Sequence, residues 1–249
     1  DAGQLCLSRR PLQHPGRTAA MSAYLPPPEQ PAIRHVDADL LIVDKPAGLL
    51  SVPGRGEDKQ DCLLSRVQVA YPDALAVHRL DMSTSGLLVL ARGKAMHSEL
   101  SRLFRERLVD KRYVAVVDGL PAAEAGEIDL PLICDWPNRP RQKVDHSIGK
   151  PSLTRFRILE RCPARQCTLV ELEPVTGRSH QLRVHLASLG HPILGDDLYG
   201  GEATARAERL LLHAAKIAFI HPSTAARVEI SSPPPFSPAA AAQQPPIPL

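Results

Sequence analysis

The chain has 249 residues, a formal net charge of +3, 43% hydrophobic and 23% charged residues. This is the profile of an ordinary globular protein long enough to bury a substantial core. Its longest apolar runs fall far short of the roughly 20 residues that span a bilayer, and its modest positive charge allows nucleic acid as a partner without demanding it. The five cysteines (Cys6, Cys62, Cys134, Cys162, Cys167) are scattered, with no C-x-x-C pair. They suggest neither a disulfide framework nor a zinc ribbon, and fit the reduced thiols of a cytoplasmic protein. His180, His185 and His191 match no i, i+4 ligand pair, so no metal site is expected.

Residues 1–20 are rich in Arg, Pro and Gly without periodicity, and Met21 precedes a Pro-rich connector. Met21 is therefore read as the natural start, and residues 1–32 as a disordered or non-native extension. Leu40-Leu41-Ile42-Val43 is a short buried strand, and Leu49 to Val52 is expected to form its hairpin partner across the turn Asp44-Lys45-Pro46-Ala47-Gly48. Asp61 is expected to start a helix with Leu63, Leu64, Val67 and Tyr71 on one face.

The stretch His78-Arg79-Leu80-Asp81-Met82-Ser83-Thr84-Ser85-Gly86 places a base, a guanidinium, a carboxylate and small turn residues in one polar loop. An apolar strand follows, Leu87 to Ala91. Rigid flanks around a chemically dense loop are a common active-site mounting, although Asp81 capping its own turn is the plainer alternative. Lys94 to Arg107 is the clearest helix, with Met96, Leu100, Leu103 and Phe104 as its apolar stripe. Residues 92–112 hold seven basic and three acidic residues. Their position beside the loop makes cations such as Arg105 candidates for phosphate contact.

Lys111-Arg112-Tyr113 leads into the strand Val114–Val117. Residues 130–143 carry the only tryptophan, three prolines and three cations, and read as a loop. Within it, Trp136 beside Arg139, Arg141 and Lys143 suits base stacking amid phosphate contacts; a Trp pinning the loop to the core is the alternative. Thr168 to Glu173 is a strand. It runs into Thr176-Gly177-Arg178-Ser179-His180-Gln181-Leu182-Arg183, where a helix is expected to begin near Ser179, with Leu182, Leu186 and Leu189 as its stripe and Gly190 as its stop. The mouth of such a helix favours anions. Leu211 to Ala215 is a late strand. Residues 233–249 hold seven prolines and an alanine run and are read as a disordered tail.

Three of these segments, in order, resemble the motifs of the RluA-type pseudouridine synthases: H-R-L-D-x-x-T-S-G at 78–86, K-x-Y at 111–113 and T-G-R-x-H-Q-L-R at 176–183. The Lys45-Pro46-Ala47-Gly48 segment resembles the family's first motif, which buttresses the active site. The resemblance spans residues 33–232 and implies a catalytic domain of the pseudouridine synthase fold. That fold is α+β, with a mixed, largely antiparallel sheet, flanking helices and a central RNA-binding cleft. It further implies an isomerase that flips a uridine out of structured RNA, cuts the N1–C1′ bond and rejoins the base through C5, with no cofactor.

On the same resemblance Asp81 is the catalytic carboxylate, Arg183 its ion-pair partner, and Tyr113 the residue stacked on the uracil and a candidate to take the C5 proton. Arg79 fills the space the base vacates. His78, Arg178, His180 and Gln181 belong to the RNA-contacting set. The 130–143 stretch resembles that of dual-specificity members, which implies a 23S ribosomal RNA stem-loop and a tRNA anticodon stem-loop as partners of a monomeric enzyme. Two other classes fit the same residues: a non-catalytic RNA-binding module, and a hydrolytic nucleosidase or glycosidase using Asp81.

Overall fold

The first two strands, β1 (Ala32–Val36) and β2 (Leu40–Lys45), pair antiparallel, and the second is buried on both faces. Leu40 and Ile42 join one core cluster while Leu41 and Val43 join another, which is why the segment reads as an unbroken apolar run. The computed structural model describes residues 24–240; Met21, the residues before it and 241–249 lie outside the described residues. After β2 come α1 (Leu63–Gln68), β3 (Ala74–Ala76), β4 (Ser85–Arg92), α2 (Gly93–Arg105) and β5 (Asp110–Asp118). There follow β6 (Ala125–Asp129), β7 (Leu132–Cys134), β8 (Gln142–Val144), β9 (Leu153–Cys162), β10 (Cys167–Pro174), α3 (Gln181–Ser188), β11 (Leu212–Ile220) and β12 (Arg227–Ser231).

Ten strands form one sheet in the order β1-β2-β4-β11-β5-β10-β9-β6, with β3 beside β4 and β12 beside β11. Only β4 and β11 run parallel, at Ser85–His213 and Gly86–Ala214. β7 and β8 make a separate hairpin. The helix α2 lays Met96, Leu100 and Leu103 on Leu40, Ile42, Leu87 and Val89, with Phe104 packed alongside. The expected stripe therefore faces the sheet. On the opposite face α1 contributes Leu63 and Val67 to a cluster with Leu41, Val43, Leu88 and Leu90.

Several expectations are corrected. Leu49 to Val52 is not a strand. The Leu50 carbonyl accepts from the Leu63 amide and the Ser51 hydroxyl donates to the Leu80 carbonyl, so this segment is a bracket between α1 and the signature loop. The cap of α1 is Cys62, not Asp61: Cys62 and Ser65 satisfy each other's amides as a capping box, and Asp61 instead pairs with Arg66. α3 carries no one-sided stripe. All six residues Gln181 to Leu186 are buried, while Leu189 is exposed, because β8, β9 and β10 all pack on this helix.

The flanks are ordered further than their composition suggests. Tyr24 Oη donates to the Asp61 carbonyl and accepts from the Leu50 amide, and Arg66 holds the carbonyls of Pro27 and Glu29. At the other end Phe236 packs on the main core and over His213. A few well-placed aromatic and guanidinium contacts offset the ordering entropy of these short stretches.

Gly86 lets β4 meet β11 closely. Its φ is +112°, and a Cβ there would lie 2.4 Å from the Ala214 carbonyl oxygen and 2.5 Å from its nitrogen. Gly86→Ala must separate the two strands beneath the signature loop, so it is expected to destabilise the fold by about 4 kcal/mol or more, read as a lowered urea midpoint.

Candidate active site

The signature loop crosses from β3 to β4 and is held from below by groups that the chain supplies before it. Lys45, at the end of β2, is fully buried and donates from Nζ to the carbonyls of Pro46, Leu49 and Met82 at 2.9, 2.6 and 3.0 Å. The Gly48 amide donates to the same Met82 carbonyl at 2.8 Å. Ser51 brackets Leu80 through both its amide and its carbonyl, and the Thr84 amide closes a turn onto the Asp81 carbonyl at 3.1 Å. Burial pushes the Lys45 ammonium down to about 7 and Arg209 adds to that, while the charge of Asp81 opposes it.

His78 is part of this scaffold. Its Nε2 accepts the Val89 amide proton at 2.9 Å and its ring stacks on Phe104 of α2, with centroids 4.2 Å apart. Burial, helped by the nearby Lys111, pushes it down to about 3, so it is neutral and its Nε2 is spent on the fold. The sequence reading that counted His78 as an RNA contact is corrected to a loop support at the wall of the cleft.

Asp81 faces a cleft of about 660 Å³. The walls come from the signature loop, from the end of α2 and the turn after it, from β5 and from the approach to α3. They bring Arg79, Arg105, Arg107, Lys111, Arg178 and Arg183 around Asp81, the single carboxylate in the lining. Tyr113, on β5 between Leu172 of β10 and Ala214 of β11, lies in the same wall. Burial raises its phenol well above the usual range, and the Asp81 charge adds to that, so Tyr113 stands as a neutral phenol.

Arg183 is brought to the cleft but not as the partner of Asp81. Its Nε and Nη2 donate to Asp196 at 2.8 and 2.6 Å, and Nη2 also reaches Asp197 at 2.8 Å. The expectation of a direct Asp81–Arg183 pair is corrected. Two later carboxylates hold the guanidinium, and it acts on Asp81 through the field alone. Among the described residues the basic side chain within 4 Å of the Asp81 carboxylate is His180, with Nε2 at 3.9 Å from Oδ1.

Gln181 also departs from its expected place among the RNA contacts. Its Oε1 accepts from Thr176 Oγ1 and the Arg178 amide, and its Nε2 donates to the Leu153 carbonyl and Thr154 Oγ1. That exhausts a carboxamide, and the residue stitches the T-G-R turn to β9. Arg178 itself is exposed at the rim, beside Gly177 and Ser179. His185 and His191 turn to Thr154, Leu130 and Asp118.

Trp136, Arg139, Arg141 and Lys143 are not in the cleft lining; they ride on the β7–β8 hairpin. Trp136 is 66% exposed with the Arg139 guanidinium over its ring, so it does not pin the loop to the core. The hairpin meets the site at Tyr199, whose hydroxyl accepts from the Gln142 amide and contacts His180. Sequence reasoning gave Tyr199 no role, and it gave none to Asp196 or Asp197.

A family model described as RNA pseudouridylate synthase matches residues 39–188. The chain belongs to the RNA pseudouridylate synthase family. Over 200 residues it is 53% identical to the dual-specificity RNA pseudouridine synthase RluA of Escherichia coli K12, covering 79% of this chain and 91% of that one. Over 210 residues it is 52% identical to the RluA of Vibrio vulnificus, covering 82% and 84%. Among solved structures it is similar to human RNA pseudouridylate synthase domain containing 1, at 33% identity and a TM-score of 0.71, over 87% of this chain and 89% of that one. The α+β sheet expected of the fold is the one observed, and the synthase is an isomerase that converts uridine in RNA to pseudouridine.

One titration tests the scaffold. His78 refuses a proton down to about pH 3 when folded but takes one near 6.5 when unfolded. Across that interval the unfolded chain binds more protons, so stability falls as the pH falls. His78→Gln, which keeps an acceptor for Val89, is expected to flatten this part of the stability-versus-pH curve in denaturant titrations at pH 4–7.

Proposed function

We propose that the synthase uses Asp81 as its catalytic carboxylate on a uridine flipped into the cleft. The observation that carries this is the lining itself: one carboxylate on a rigidly braced loop, surrounded by cations from four segments of the chain. Cutting the N1–C1′ bond leaves C1′ electron-poor, and a positioned carboxylate serves that step by attack at C1′ or by removing the 2′ proton. Hydrolysis by the usual paired-carboxylate route needs a second carboxyl group, so that one acts as acid on the leaving group and the other as base or nucleophile. Among the described residues the cleft lining offers none, which favours isomerisation over a nucleosidase. An intact set of reacting groups likewise disfavours a purely RNA-binding module.

Arg79, exposed on the signature loop beside Asp81, is suited to fill the gap left by the everted base, whose unstacking costs a few kcal/mol. Arg105, Arg107, Lys111 and Arg178 are suited to the flanking phosphates. Tyr113 is a stacking platform for the uracil. To serve as base for C5 it must first pass its own phenol proton to another acceptor, because burial above all, and the Asp81 charge with it, holds that proton.

The substrates we propose are a 23S ribosomal RNA stem-loop and a tRNA anticodon stem-loop. The identity of 52–53% to enzymes named dual-specificity supports this, as does the exposed Trp136 with Arg139 over it. The domain reading keeps residues 33–232 as catalytic, with the packed stretches 24–31 and 233–240 joined to it. Among the described residues no helix is long and apolar enough to cross a membrane, and the scattered cysteines support the cytoplasm as the place of work.

Asp81→Asn is expected to reduce pseudouridine formation by about 10⁴-fold or more while RNA affinity in a filter-binding assay stays near wild type. Turnover close to wild type removes Asp81 from the role, and free uracil among the wild-type products revives hydrolysis. The double variant Trp136→Ala, Arg139→Ala is expected to weaken binding of both stem-loops by about 1–3 kcal/mol and to leave the rate at saturating RNA unchanged.

A further inference from the structure

His180 is poorly placed to act as a free RNA ligand. One ring nitrogen is occupied: Nδ1 lies 2.7 Å from Tyr199 Oη. The other, Nε2, faces Asp81 Oδ1 at 3.9 Å. Tyr199 is itself fixed. Its amide donates to Asp196 Oδ1, the carboxylate that holds Arg183, and the guanidinium carbons of Arg141 and Arg183 lie over its ring at 5.4 and 5.3 Å. Its hydroxyl oxygen accepts the backbone N–H of Gln142 at 2.7 Å.

A backbone amide can only donate, so Tyr199 Oη is the acceptor in that bond and keeps its own proton to give. The remaining partner within reach among the described residues is His180 Nδ1. A nitrogen that accepts a proton donor cannot carry a proton itself. The neutral imidazole is therefore held as the Nε2–H tautomer, with the positive end of that bond toward the carboxylate of Asp81. At 3.9 Å this is a charge–dipole contact rather than a hydrogen bond, and it closes to one with a small movement of either side chain.

We propose that Tyr199 and His180 are positioning residues for Asp81. In this line the β7–β8 hairpin fixes the Tyr199 hydroxyl, the hydroxyl fixes the His180 tautomer, and the tautomer keeps a donor on the catalytic carboxylate. The inference rests on the reading of Asp81 given above. His180 is faced by Asp81 from the signature loop, by Arg183 from its own helix and by Asp196, Asp197 and Tyr199 from the loop that follows. Loss of the phenol oxygen leaves all of those charges in place and frees Nδ1. The imidazole then populates the other tautomer, which turns a lone pair toward Asp81 and works against its ionised form.

The test is Tyr199→Phe under single-turnover conditions with enzyme in excess over a tRNA anticodon stem-loop. At pH 8 the rate is expected to fall about 10- to 100-fold, the usual effect of removing a group that orients a reacting one, with the RNA dissociation constant unchanged. Burial holds His180 below the usual imidazole range, so as the pH is taken beneath that range His180 of the variant becomes an imidazolium with a proton on both nitrogens, and the rate recovers toward wild type at the same pH. A side chain that merely fills space gives no such recovery.

His180→Gln, whose amide can accept from Tyr199 and donate to Asp81, is expected to outpace His180→Leu by about tenfold at pH 8. This pair decides the matter if Tyr199→Phe proves unstable. A Tyr199→Phe enzyme with the wild-type rate and pH profile overturns the proposal. So does a loss confined to RNA affinity, or equal rates for the two His180 variants. The Asp81→Asn enzyme is run alongside: if it turns over, the reading of Asp81 has failed, an outcome distinct from a failure of the line that positions it.

Discussion

The Met82 carbonyl takes two hydrogen bonds, one from the Lys45 ammonium and one from the Gly48 amide, and the rest of the site depends on them. They fix the backbone one residue past Asp81. The donors come from the first motif, at the edge of a strand buried on both faces, so the loop inherits the rigidity of the sheet. A fully buried ammonium is costly on its own. Three carbonyls and the nearby Asp81 charge offset that cost for the Lys45 ammonium. The loop and the carboxylate are thereby braced by the same side chain.

The charges around Asp81 are divided so that its oxygens stay available. A carboxylate held bidentate by an arginine spends its lone pairs on that fork and is a poorer group for attack or proton removal. Here the fork is spent elsewhere: Asp196 and Asp197 neutralise Arg183 and hold it rigid. Among the described residues the rim cations Arg79, Arg105, Arg107, Lys111 and Arg178 have no carboxylate partner, and the acidic pair behind Arg183 limits how much positive charge the floor carries. Asp81 thus has cations around it without a committed partner, which suits the role proposed for it at the sugar.

Most of the fold-forming strands nearest the site were legible because each carries its own signal. Leu40 to Val43 and Leu87 to Ala91 are apolar without alternation because both faces are covered, and the α2 stripe faces a single layer. The sequence also singled out the loop that carries Asp81 into the cleft. What it missed has a common cause. β1, β6, β9 and β12 lie toward the margins of the sheet with mixed exposure, so their patterns blur into charged surface. The roles of His78 and Gln181 are set by backbone groups of Val89 and Leu153, which no side-chain pattern announces. The family resemblance pairs Arg183 with Asp81, while the carboxylates that hold it lie 13 and 14 residues later in chain order. At the flanks, proline content dominated the reading, although single residues such as Tyr24 and Phe236 decide whether such stretches pack.

The β7–β8 hairpin occupies a different position in this economy from the ten-stranded sheet. Its two strands pair with each other outside the ten-stranded sheet, with Leu132 bridged to Lys150 and β8 packed on α3, so changes at its outward-facing residues leave the sheet register beneath Asp81 and Tyr113 undisturbed. Its exposed Trp136 and Arg139 are free of any structural duty in the core. Its inner edge is not free, because the Gln142 amide is bonded to Tyr199. That bond uses backbone, so it survives almost any side-chain change in the hairpin. On the reading proposed above, a surface that is free to vary and a fixed backbone contact toward Asp81 let the outer loop be retuned toward different RNA shapes while the groups beneath it stay in place.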